Sequence, residues 1–168
     1  MMNLLIRMVE HHIWLVGEMV DKAATVGETV LDKPITLSVE GLDEAPTMRK
    51  LLSRLVGQMD MWVNVIAGRT CDMAIERHES IADVRARLGV AGPAFLAEVR
   101  RVVEGGRLDE TFIDALCEPA EVFTYGGLIA HVLTFAAHRR ILVLGALDSA
   151  GITDLGSGGP RLWVADAA

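Results

Sequence analysis

Cysteine is scarce: two residues in 168, Cys71 and Cys117, are too few and too isolated for a disulfide framework. They read as reduced structural thiols. An excess of basic charge is also missing. Sixteen Lys and Arg against 23 Asp and Glu leave a formal net charge of −7, and the pI is about 5.2. A surface of that sign repels phosphate backbones, so nucleic acid is excluded as a direct partner. The mean hydropathy is +0.35, yet no uncharged run reaches the roughly 20 residues of a membrane span. The longest, Val122 to His138, holds two histidines and two glycines and reads as a core helix. The opening MMNLLIRMVEHH lacks a basic region followed by an apolar run and a cleavage site, so a cytoplasmic location is expected. No internal repeat is visible, and the one biased stretch is a Gly-rich tail from about residue 152.

What is present is helical periodicity. A chain 51% hydrophobic and 23% charged is globular, and its length suits one domain over residues 1–168. The clearest segment runs from Thr124 to Gly151, with apolar residues at three- and four-residue steps. Thr124 suits the N-cap, and Gly151 suits the left-handed position beyond the last turn. The spacing places Leu128, His131, Phe135, His138, Leu142 and Gly145 on one face, expected to point inward.

Three further helices precede it. The first spans Asn3 to about Val26, with a stripe of Leu5, Met8, His12, Leu15 and Met19, and Gly27 closing it. Trp14 lies off that stripe, where it would meet a neighbouring helix or a partner subunit. Residues 28–46 form a long connection in which Ile35, Leu37 and Val39 alternate with polar residues. The second helix runs from about Pro46 to Ala67, ends at Gly68, and carries Arg54 and Gln58 near an inner face. His78 reads as a surface imidazole between Arg77 and Glu79. The third helix opens at a loose capping box, Ser80 and Asp83, and runs to about Glu104. Pro93 in its middle predicts a kink or two abutting helices, and Gly105-Gly106 stops it. In the connection 107–123, Thr111-Phe112-Ile113 reads as extended and Pro119 as a turn. The tail is expected to pack through Leu162 and Trp163. Four long helices with two long links give an all-α four-helix bundle, with its site built from inward polar residues.

The pattern and order of His11-His12-Ile13-Trp14, of Leu51 to Gly68, and above all of His131-Val132-Leu133-Thr134-Phe135-Ala136-Ala137-His138-Arg139-Arg140 resemble the DinB/YfiT-like superfamily of four-helix bundles. The resemblance covers roughly residues 3 to 150. It implies a divalent metal, zinc or nickel, held by one histidine of the second helix and an i, i+4 pair on the last. It also implies, for some relatives, a thiol transferase or isomerase activity using mycothiol or bacillithiol. Carried onto this chain, the helix-two position is Arg54, eight residues before Trp62, and the last-helix pair is Thr134 and His138. A guanidinium stays protonated and does not ligate, and a threonine hydroxyl is a poor substitute for imidazole. One ligand of three survives.

Two functional readings follow. In the first, the bundle binds a small ligand or serves a regulatory role, its metal site degenerate and no cofactor assured. Arg54, Gln58, Thr134 and Phe135 would then line the cavity. A buried Arg54 would need a carboxylate, for which Glu18, Asp60 and Glu121 are candidates. In the second, a displaced metal site at His12, His131 and His138 serves a thiol transferase, the metal lowering the pKa of a bound thiol or water. His131 and His138 are about 10 Å apart along a helix axis, which suits a single ion poorly. A homodimer is expected from the breadth of the apolar stripes. Elsewhere the chemistry thins out. Gly126-Gly127 is a weak anion signal at a helix start, and Gly156-Ser157-Gly158-Gly159 lacks the lysine and helix of a phosphate loop.

Overall fold

A computed structural model describes residues 3–36, 45–70, 74–114, 119–154, 158–159 and 163. Helix α1 covers Leu4–Ala23, α2 Glu28–Leu31, α3 Met48–Ile66, α4 Ile81–Glu104 and α5 Tyr125–Ser149; strands β1 (Thr111–Asp114) and β2 (Glu121–Thr124) lie between the last two helices. The chain is thus mostly helical, with one small antiparallel hairpin that pairs Thr111 with Thr124 and Asp114 with Glu121. The extended reading of 111–113 is met. Its partner β2 is an addition to the all-α expectation, and the two strands run directly into the start of α5.

The ends of these helices follow from their local chemistry. Asn3, Thr47, Ser80 and Thr124 each accept from a first-turn amide, which satisfies a donor that the helix itself leaves open. At the far end of α5, Gly151 takes φ +88°; its amide donates to the Asp148 carbonyl, and that of Ile152 to Leu147. This is the double-bonded left-handed cap that glycine makes cheaply. Two expected boundaries move. Gly27 does not close α1, which stops at Ala23, but instead N-caps the short α2. Pro46 lies outside α3, just before its Thr47 N-cap, its carbonyl accepting from the Ile35 amide.

Pro93 neither divides nor ends α4, which is continuous over 24 residues. The ring is exposed, and the carbonyl it releases belongs to Gly89, also exposed, where water can satisfy it. A Cβ added at Gly89 would meet nothing. Gly89→Ala is therefore expected to raise stability by about 0.5–1 kcal/mol, read as a higher urea midpoint at unchanged slope.

Around the core, α1 touches α4, α5 and α3, while α3 touches α4 and α5. Helix α3 is the most enclosed element, with Leu51, Leu52, Leu55, Val56 and Met59 all fully buried. Helix α1 presents Val9, His12, Leu15, Val16, Met19 and Val20 inward. Its face is turned slightly from the expected stripe: Met8 is 46% exposed and Leu5 only half-buried. By length and composition α5 is apolar enough to cross a membrane. Here it packs against α1, α3 and β2, with two arginines turned into the protein.

The connection after α2 is extended where described, with Pro34 bridged to Thr47; Leu37 and Val39 lie outside the described residues, as do Cys71, Cys117 and Leu162. Trp163 does pack, as expected of the tail. Its ring is edge-on to His11 at 5.9 Å and under the Arg7 guanidinium at 5.2 Å. Gly158 closes the same clasp, its carbonyl 2.8 Å from His11 Nε2. Trp14 is half-buried and tilted against His11, their ring centroids 5.7 Å apart.

Candidate functional site

The rotation of α5 decides what the protein can do, and it differs from the expected one. The buried residues are Leu128, Ile129, Val132, Leu133, Ala136, Arg139, Val143 and Leu147. His131, Thr134, Phe135 and His138 are on the exposed side, and Leu128 alone of the expected face is well buried. The expected inward imidazoles are therefore corrected to outward ones. The Phe135 ring lies between them, 4.3 Å from His131 and 6.4 Å from His138. Partial burial and the nearby Arg139 charge lower the pKa of His131.

Inside, the polar groups form a layer across α1, α5 and α3. Arg139 Nη1 donates to Gln58 Oε1 at 3.0 Å, and both residues are buried. One position along, Arg140 turns to α1, its Nη1 2.6 Å from Nδ1 of His12. A guanidinium only donates, so Nδ1 must be the acceptor and the proton of the neutral ring sits on Nε2. That Nε2 is buried and has no partner among the described residues. Burial, followed by the Arg140 and His11 charges, holds the His12 ring neutral, its pKa pushed down to about 3. Burial likewise lowers the pKa of Arg140.

His12 is thus capped by a cation, on the other side of α5 from His131 and His138. Among the described residues no three His, Cys, Asp or Glu side chains converge as metal ligands. Arg54 is near the inner face of α3 but half-buried, and its Nε lies 3.5 Å from Glu76 Oε2. The carboxylate it meets comes from the 74–80 segment and not from Glu18, Asp60 or Glu121. Thr134 spends its hydroxyl on its own helix, donating to the carbonyls of Ala130 at 2.8 Å and His131 at 3.1 Å. Gln58 therefore enters the inner layer, Arg54 stands beside the 74–80 segment, and Thr134 and Phe135 lie outside. His78 is exposed, as expected.

The residues that sequence reasoning missed are Arg139 and Arg140. They are the only charges between Tyr125 and Leu147, and two adjacent cations in so apolar a helix are the signal that could have flagged them. Arg49 was missed as well. It is 3% exposed, donates from Nε to Asp32 Oδ1 at 2.7 Å and from Nη1 to the Glu79 carbonyl at 3.0 Å, and pairs with Glu28. That cluster fastens α2 and the 74–80 segment to α3, which is a structural role.

A concave surface does exist, but away from the histidines. A cleft of about 400 Å³ runs between residues 30–36 and the C-terminal half of α5. Pro34, Ile35, Leu142 and Ala146 supply apolar walls; Lys33, Thr36 and Ser149 are its polar groups. Its volume falls in the range that encloses small organic ligands. Gly145 leaves its floor open, since a Cβ there would meet nothing. No model of a known protein family matches the chain, and no curated protein or solved structure does so either.

Proposed function

We propose that this chain is a cytoplasmic four-helix bundle of DinB/YfiT-like type that binds a small ligand, in a regulatory or carrier role, without metal catalysis. The helix order around the core and the long link after α1 support the bundle reading. The cleft carries the ligand reading: its walls are apolar, and among the described residues that line it the one charge is the Lys33 ammonium. A compact monoanion with an apolar body matches that lining, its carboxylate at Lys33 and its body along Leu142 and Ala146. The separation of His12 from His131 and His138 supports a role that does not depend on a shared metal. The acidic chain favours a partner other than nucleic acid.

Calorimetric titration with octanoate, and with octylamine as the opposite charge, tests this. Octanoate is expected to bind about tenfold more tightly than octylamine, and Lys33→Met to remove that preference. Ala146→Phe, which fills the cleft, should abolish binding while helical circular dichroism is kept. Equal affinity for both probes, or binding untouched by Ala146→Phe, contradicts the proposal. Stoichiometric transition metal in untagged, dialysed protein contradicts its non-metal part.

A further inference from the structure

Arg7, Arg49, Arg85, Arg87 and Arg100 each meet a carboxylate, from Glu10, Asp32, Asp21, Glu79 and again Glu10. Arg140 does not, although the chain holds 23 acidic residues against 16 basic ones. Among the described residues its one polar contact is the His12 ring, reached from Nη1. The electrostatics agree. Asp32 raises the pKa of Arg49, whereas Arg140 is moved by burial alone, and downward. Its uncompensated charge also lowers the pKa values of both α1 histidines, His11 and His12. A half-buried cation without a counter-ion is costly, since burial removes water and nothing in the chain replaces it.

We propose that the Nε/Nη2 edge of Arg140, at the α1–α5 interface, is a receptor for a free monocarboxylate bound through both its oxygens, with His12 as the residue that positions the guanidinium. The bond to His12 uses Nη1, the nitrogen on the Cδ side of the group. Nε–H and the outer Nη2–H lie parallel along another edge, which is the fork that fits the two oxygens of a carboxylate. Neither has a partner among the described residues, and neither is sealed off from solvent. His12 holds the fork in place as a neutral acceptor and adds no second charge. The neighbouring cation, Arg139, is turned to Gln58. One turn to either side of Arg140, α5 supplies Ala136, Ala137, Val143 and Leu144, all apolar. A single positive charge in such surroundings balances one negative charge, so a monocarboxylate fits where a phosphate dianion would leave a charge uncompensated. Neither Arg140 nor His12 lines the cleft, so this is a second site and stands apart from the reading proposed above.

Titration of the full chain with sodium acetate, against sodium chloride at equal ionic strength, tests the proposal. The Arg140 Nε–H signal in ¹H–¹⁵N spectra, assigned by its loss in Arg140→Lys, should shift and saturate with a Kd of about 1–10 mM in acetate and stay in place in chloride. The melting temperature should rise over the same acetate range. By that thermal readout, Arg140→Lys keeps the charge without the fork and should bind acetate about tenfold more weakly, and Arg140→Met should lose the effect. His12→Leu removes the acceptor that fixes the guanidinium and should weaken acetate about tenfold; His12→Gln supplies a carboxamide oxygen in its place and should restore the affinity. In Ala146→Phe, whose cleft is filled, the Arg140 signal should respond as before, so failure of the cleft reading and failure of this one are read apart. An Arg140 signal that does not saturate, or that moves as far in chloride, overturns the proposal. So does inorganic phosphate binding more tightly than acetate, or an acetate effect that survives in Arg140→Met combined with Ala146→Phe. Equal affinities in His12→Leu and His12→Gln overturn the positioning role.

Discussion

Gly57→Ala is expected to destabilise the protein by about 3 kcal/mol, although alanine is the better helix former. The added Cβ would lie 1.9 Å from the Ile75 carbonyl oxygen and 2.8 Å from its Cα. Both are backbone atoms, so no side-chain rotation relieves the overlap; the 74–80 segment would have to lift from α3. That segment is held there by Arg77, whose amide donates to Ser53 Oγ at 2.9 Å, and by the Ser53 hydroxyl donating to Glu79 at 2.7 Å. Lifting it would deprive the buried Ser53 hydroxyl of the Glu79 carboxylate and Arg49 Nη1 of the Glu79 carbonyl, which adds to the cost. Urea denaturation compared with Gly89→Ala isolates the effect, because the same substitution in open space should act in the opposite sense. A Gly57→Ala midpoint at or above that of the unmodified chain would sink the close-packing argument for α3.

The second large effect is acid destabilisation centred on His12. The folded ring has a pKa of about 3, whereas an unfolded histidine titrates near 6.5. Between those values the unfolded chain binds the extra proton, so stability rises with pH across the window. The contribution of His12 is complete above about pH 6.5 and is lost progressively as pH falls through about 3. At about 1.4 kcal/mol per pH unit, the loss between pH 7 and pH 4 is about 3 kcal/mol. His12→Gln keeps an acceptor for Arg140 but cannot titrate. The stability difference between the two proteins should therefore shift against the histidine by that amount over the same range. Glu10, Asp32 and Asp154, whose pKa values are lowered below the ordinary carboxylate range, add losses at lower pH in both proteins and cancel in the difference. Parallel stability curves for the two proteins would mean that His12 is not buried neutral.

Most helix ends were legible because each depends on one or two residues acting locally, whereas Gly27 and Pro46 serve the connection instead. Thr124 and Ser80 cap where their hydroxyls meet open amides, and Gly68, Gly106 and Gly151 stop helices with positive φ. The rotation of α5 was not legible. A helix apolar on almost every side gives no single stripe, and the sharper heptad row through His131, Phe135 and His138 drew the inward assignment. Which row faces the core is settled by α1 and α3, where His12 and Gln58 offer the only acceptors reached by Arg139 and Arg140 among the described core residues. The Arg54 partner was missed for a related reason: Glu76 sits in an irregular segment whose path no periodicity records. The site was therefore less readable than the fold. Convergence of side chains from three helices depends on rotations that propensity does not specify, and the cleft depends on the course of residues 30–36.

The most direct measurement is the ring-nitrogen spectrum of His12 in uniformly ¹⁵N-labelled protein, assigned by comparison with His12→Gln. A neutral ring that accepts from Arg140 at Nδ1 should appear as the Nε2–H tautomer and should not titrate between pH 8 and pH 5. A His12 ring that titrates near pH 6.5, or that carries its proton on Nδ1, would contradict the layer of His12, Arg140, Arg139 and Gln58 on which the account rests.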